Sequence, residues 1–226
     1  MHNATAAGYK FAYLAEVTPG TTPGSALKLM RNVGGGGKLT AQSAESDEIH
    51  LAEVPDVIRT GVDANGVVNG EPSYSALDDI MEAILGGTWT TNVLQAGVVA
   101  RTFTCEDQYT DAGVYMPWKY SIWDSLSIGF QQGAKPNFKA TYVCAAPPTA
   151  GSTSTAGTGA ATAAPTNDIM DPIGSIQLAQ EGGSGSLLAG APGVTAFSID
   201  ITRPVIKMPQ LGTLSLAGAV SERLAV

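Results

Sequence analysis

Over most of this 226-residue chain, apolar side chains recur at every second position; at one place they recur at helical spacing instead. Residues 73–87, SYSALDDIMEAILGG, hold Leu77, Ile80, Met81, Ile84 and Leu85 at i, i+3, i+4, i+7 and i+8, a single apolar stripe. Ser75 with Asp78 three positions on has the form of a capping box, and Asp78 and Asp79 put negative charge in the first turn, where the helix dipole favours it. Gly86 and Gly87 supply the left-handed conformation that closes such a helix. The pattern predicts one α-helix over about 74–86, with that stripe packed on a sheet and its acidic side free.

Elsewhere the period is two, the period of strands. Tyr9, Phe11 and Tyr13 alternate with Lys10 and Ala12. Val99, Arg101, Phe103 and Cys105 share one side, and Val114, Met116, Trp118 and Tyr120 share another. Leu126, Ile128 and Phe130 alternate with small residues, as do Phe138, Ala140 and Tyr142 with Lys139, Thr141 and Val143. Turns are expected at 16–25, 110–113 and 131–137, which are rich in Gly, Pro, Asp and Asn. Further strands are expected at 26–33, 66–71, 173–179, 194–201 and 211–220. The glycine run at 34–37 reads as a flexible turn and not as a phosphate cradle, because it lacks the Gly-Lys-Ser/Thr ending and the residues after it read as a strand.

Two stretches break the alternation. Residues 45–65 mix acidic and apolar residues and read as an irregular arm, long for a compact domain. Ile49, Leu51, Val54, Val57 and Ile58 are too many apolar residues for a disordered segment, and with Arg59 they form a candidate contact surface. The arm either folds against a neighbouring subunit or folds back on its own domain; the sequence leaves both open. Residues 145–168 are almost entirely Ala, Gly, Ser, Thr and Pro, too small to bury much area, and read as a mobile surface loop.

Composition agrees with a single mainly β domain: charged residues are only 14% and there are 27 glycines. The formal charge of −8 argues against holding nucleic acid by neutralising phosphates. No apolar window reaches the roughly 18 residues of a membrane span, and the first residues lack the pattern of a secretory signal. Cys105 and Cys144 fit no metal spacing and read as buried small hydrophobes, which could pair only if the fold joins their strands. His2 and His50 are isolated. Asp78 and Asp79 diverge around a helix, and Glu106 and Asp107 would point to opposite faces of a strand, so neither pair makes an acid/base couple. Catalytic, cofactor and metal sites are not expected.

Taken together, EVTPGTTP (16–23), SDEI (46–49) before the arm, NGEPSYSALDDIMEAILGGTW (69–89) and RTFTCEDQYTDAGVYMPWKY (101–120) resemble the tail tube proteins of long-tailed bacteriophages. The segment SLSIGFQQGAKPNFKATYV (125–143) and the small-residue loop ending in PTND fit as well, so the resemblance spans about 9–202. It implies a β-sandwich or barrel-like tail tube fold with one flanking helix and long loops. It also implies hexameric rings stacked into a tube, with the arm placed like the loop that joins rings. The partners it implies are other copies of the chain, a tape-measure protein and the tail terminator and tip proteins. DNA would pass through at ejection without specific binding, no membrane would be involved, and assembly would take place in the bacterial cytoplasm. Family chains carry a further strand pair beyond the region of 211–226, where this chain stops, and Ser75 stands where Gly is commoner.

A β-sandwich adhesin, fibre or capsid-decorating module is the alternative, with Trp89, Trp118 and Trp123 available for a sugar site. A secretion-system tube relative of the same fold is a third.

Overall fold

The computed structural model describes residues 6–46, 57–155, 195–210, 213 and 216–224. Its elements are β1 (Tyr9–Ala15), β2 (Lys28–Leu29), β3 (Asn32–Glu45), β4 (Val57–Gly70), α1 (Asp78–Leu85), β5 (Phe103–Tyr109), β6 (Val114–Gln131), β7 (Asn137–Cys144), β8 (Ala196–Thr202), β9 (Val205–Met208) and β10 (Gly218–Ser221). Eight strands form one antiparallel sheet in the order β2-β1-β5-β6-β7-β4-β3, with β8 added to β6; β9 and β10 form a separate hairpin. The fold is mainly β and sandwich-like, with one α-helix among the described residues.

β6 is the spine. Its first part pairs with β5, from Tyr109↔Val114 to Phe103↔Ser121. Its second part pairs with β7 from Ser121 onward and with β8 from Ser125 onward. An extra residue enters β6 between Trp118 and Ser121, where Tyr120 takes a positive φ of 55°, and another between Trp123 and Ser125. Bulges of this kind bend a strand and increase its twist, and here they let one sheet fold over on itself. The β3–β4 side closes over β1 and β5. Trp118 lies against Gly37 of β3, and a Cβ at Gly37 would fall 1.9 Å from the indole Cε2.

Between the layers lies an aromatic core. Trp123 meets Phe11, Tyr13, Phe103 and Tyr142 at ring separations of 5.2 to 6.4 Å, each edge-on, the arrangement that ring quadrupoles favour. Helix α1 closes one side of this core. Leu77, Ile80 and Ile84 are fully buried, and Met81 and Leu85 pack against the same cluster.

Several expectations need correction. The capping box does not form: Leu77 occupies the N-cap position without a side-chain hydrogen bond, and Ser75 sits at φ 64° in the preceding turn. The other end closes as expected, with Gly86 left-handed at φ 65° and its N–H on the Glu82 carbonyl. Residues 34–37 are no turn; they run inside β3, where absent side chains make room for Trp118 and for Asp107 of β5. Val114–Tyr120 and Leu126–Phe130, which read as separate alternating runs, are one 18-residue strand. The expected strand at 173–179 and the loop beyond residue 155 lie outside the described residues. Of the expected strand at 211–220, Gly218–Ser221 is β10, and its partner β9 was not foreseen.

Candidate functional site

Beyond Asn65, β4 leaves β7 behind. From Ala64↔Leu39 out to Val57↔Glu45 it pairs with β3 alone, as a two-stranded ribbon projecting from the sheet. Residues 57–65 are therefore paired strand and not irregular chain. The alternation that marks a half-buried strand is missing from the outer part because neither face is buried there: residues 38–46 and 57–60 are all exposed, and burial begins again only at Ala64. Ile58 is 59% and Val57 57% exposed, and Arg59 stands opposite Ser43. Ile49, Leu51 and Val54 lie outside the described residues. A two-stranded ribbon with both faces in water is marginal by itself. Its base is tied down where Asp63 forms an ion pair with Lys207 of β9.

The neck of the sandwich is organised by two buried carboxylates on β5. Asp107 points inward, where one oxygen accepts from the Tyr9 hydroxyl at 2.7 Å and the other accepts from Trp118 Nε1 and the Gly37 N–H, both at 2.8 Å. Burial raises its pKa, although these three donors pull the other way. Glu106 points to the opposite face and accepts from Ser154 Oγ (2.6 Å), Thr155 N (2.8 Å), Thr155 Oγ1 (2.7 Å) and Gln108 Nε2 (2.9 Å). Each oxygen is spent on holding chain together, and the two side chains lie on opposite faces of β5.

Glu106 fastens the start of the small-residue segment. Gly151 then exchanges two backbone hydrogen bonds with Tyr115, at 2.8 and 2.9 Å, on the β6 edge that β7 does not reach. Residues 145–155 thus act as a strap over an otherwise open strand edge, and open edges invite unplanned pairing. No residue pattern announces this strap, because its anchors are a lone Ser and Thr in a run of such residues.

Helix α1 ends against two arginines. Arg101 donates to the Glu82 carbonyl (3.2 Å) and to Thr88 Oγ1 (2.8 Å), and pairs with the Glu82 carboxylate. Arg203 donates to the Ile84 and Glu222 carbonyls at 3.4 and 3.3 Å. Cations at a helix C-terminus satisfy orphan carbonyls and complement the dipole. A positive charge of this kind can be anticipated near a glycine-closed helix end, but not that two distant segments would supply it.

The three tryptophans do not make an open sugar platform. Trp118 and Trp123 are buried, and Trp89 is half-buried, with Nε1 on the Asp78 carbonyl at 3.3 Å. Cys105 and Cys144 are buried and unpaired as a disulfide. No group of three potential metal ligands occurs among the described residues, and no described helix is long and apolar enough to cross a membrane.

Comparison with curated protein sequences gives no match. The family model described as "Phage tail tube protein" matches residues 7–226, nearly the whole chain, on a β-rich fold whose projecting ribbon and fully engaged carboxylates suit a building block. The chain belongs to the phage tail tube protein family, structural components of the virion tail that assemble with copies of themselves into a tube.

Proposed function

We propose that this chain forms hexameric rings that stack into the tube of a long-tailed, siphophage-type virion, enclosing the channel through which DNA leaves at ejection. The observation that carries this reading is the β3–β4 ribbon, two paired strands exposed on both faces and bearing Val57, Ile58 and Arg59. A feature so poorly supported by its own chain gains its stability from a neighbour. Ile49, Leu51 and Val54 extend the same contact surface in sequence. A tape-measure protein would fill the channel before ejection, and terminator and tip proteins would close the ends. The excess of carboxylates keeps phosphates from sticking, so DNA slides and is not held. Assembly would take place in the host bacterial cytoplasm.

Electron microscopy of the concentrated, purified chain is the test. Annular particles and tubes whose end-on averages have sixfold symmetry are expected. Another symmetry would overturn the hexamer, and chains that stay dispersed at every concentration would overturn self-assembly.

A further inference from the structure

We propose that the β9–β10 hairpin is a strut that sets the angle of the β3–β4 ribbon within one chain, with the Lys207–Asp63 ion pair as its releasable tip. Such a device works in the free chain and needs no neighbouring copy.

The hairpin forms a sheet of its own, yet it is held to the body at both ends. At its foot, Arg203 N–H donates to the Asp124 carbonyl at 2.8 Å, inside the second bulge of β6. The Arg203 side chain also reaches the Ile84 carbonyl of α1 at 3.4 Å and the Glu222 carbonyl at 3.3 Å, which draws the two ends of the hairpin together. Near its turn, Leu216 N–H donates to the Ala145 carbonyl at 2.8 Å, and Ala145 N–H donates in turn to the Tyr120 carbonyl at the first bulge. The strut therefore stands on the helix end and on both places where β6 bends. Its faces differ. Ile206 and Met208 are exposed, while Lys207 between them is turned to Asp63.

Asp63 sits where leverage is greatest. It lies two residues beyond Asn65, the last residue of β4 paired with β7, and pairs with Thr40. Three residues further out, Thr60 is extra in the register between Gln42 and Ser43, a bulge at which the ribbon can bend. The six residues from Asp63 to Val57 span about 20 Å, so a tilt of about 10° at the root moves the tip by about 3–4 Å. A groove of about 270 Å³, lined by Gln42, Thr60, Asp63, Lys207 and Gln210, lies between ribbon and hairpin and leaves room for that tilt. The Lys207 and Asp63 side chains are 30% and 32% exposed, so water and salt reach the pair. A pair of this kind adds little to global stability. On an element exposed over both faces, which belongs to the low end of local stability, the same small term is enough to shift populations.

Nitroxide labels on Val57→Cys and Ala134→Cys, both exposed positions, report the ribbon angle as a distance distribution in pulsed electron resonance of the dilute full chain. The buried Cys105 and Cys144 stay unlabelled. Lys207→Gln and Asp63→Asn should each widen the distribution at least about twofold, with the thermal unfolding midpoint unchanged. The exchanged pair, Asp63→Lys with Lys207→Asp, should narrow it again. Salt at about 1 M, where the screening length is about 3 Å, should widen it with no substitution in the ribbon or hairpin. Arg203→Gln, which keeps the pair but loosens the foot, should widen it as well. Unchanged widths in both single variants and in high salt would overturn the device. Widening that the exchanged pair does not reverse would overturn the ion pair as its tip, and an unchanged width in Arg203→Gln would overturn the hairpin as a strut.

Discussion

Trp118 of β6 and Gly37 of β3 are in contact across the two layers, 81 residues apart in sequence, with no space between them for a methyl group. The indole Nε1 and the Gly37 N–H both end on Asp107 Oδ2, so one carboxylate oxygen holds the ring and the backbone it packs against together. The ring cannot swing away to admit a Cβ. Gly37→Ala should destabilise the folded chain by about 2–3 kcal/mol through overpacking, read from urea denaturation midpoints. A neutral result would mean the layers do not close at this point.

Asp107 makes the same neck sensitive to pH. Burial raises its pKa above the unfolded value near 3.9. The folded chain then keeps a proton on this carboxyl across a window in which the unfolded chain has already released it. Stability from this group is fullest below about pH 3.9, falls as pH rises through the folded pKa, and is level above it. Asp107→Asn removes the titration while leaving one oxygen to accept from Gly37 and Trp118. Its unfolding midpoint should therefore gain on that of the wild type as pH is raised from 4 to 7. Parallel curves for the two proteins would contradict the assignment. Asp107→Ala strands three donors and should cost about 2–4 kcal/mol at any pH.

The stripe of α1 gives a sharper outcome. Ile80 and Ile84 are fully buried against the sheet. A carboxylate at either position meets no cation in the aromatic core, so Ile80→Asp or Ile84→Asp should cost about 3 kcal/mol or more and leave little folded chain in circular dichroism. Met81→Gln, at the half-buried margin of the stripe, should be much milder. Equal effects at the three sites would mean the helix does not face a core.

These residues also mark what could be read from the sequence. The helix was legible because one buried face and one wet face imprint helical spacing on eight residues, with Gly86 as a stop. β5 and β7 were legible for the matching reason, a core on at least one side. The ribbon was not: pairing between 38–45 and 57–65 is satisfied by backbone, and exposed faces impose no period on side chains. β6 misled in another way. Its two extra residues shift the phase once and then shift it back, so Trp118, Leu126 and Ile128 keep even numbers while the buried Trp123 falls out of step. The candidate contact residues Val57, Ile58 and Arg59 were visible as apolar and basic outliers, yet their partners on β3 could be found only through register.

The strap provides a test of edge protection. With Glu106→Ala, Ser154 and Thr155 lose their shared acceptor, and residues 150–155 have little apolar area to hold them in place. Amide exchange at Tyr115 and Gly151, which bond only to each other across this edge, should accelerate by at least about tenfold. Exchange at Cys105 and Trp118, within the β5–β6 ladder, should change far less. Uniform acceleration throughout the sheet would mean that Glu106 supports the whole fold and not the strap.

The cysteines close the argument from a different direction. Cys105 and Cys144 lie on strands that both join β6, yet the two thiols are unpaired. Burial pushes the Cys105 thiol well above its ordinary range and the Cys144 thiol up to about 11. Only the thiolate attacks disulfides or alkylating agents, and at pH 8 almost none is present at either site. The Cys144 sulfur lies 2.9 Å from both the Lys119 and Ala146 carbonyl oxygens, which share its single S–H, at the bulge where β6 bends. The folded chain at pH 8 should therefore release almost no thionitrobenzoate from an aromatic disulfide reagent, and two equivalents once urea unfolds it. Raising the pH toward 10 should bring Cys144 into reaction before Cys105. Rapid labelling of one thiol at pH 8 in the folded state would mean that the bend at Lys119 and Tyr120 opens readily, and with it the junction between the two halves of β6.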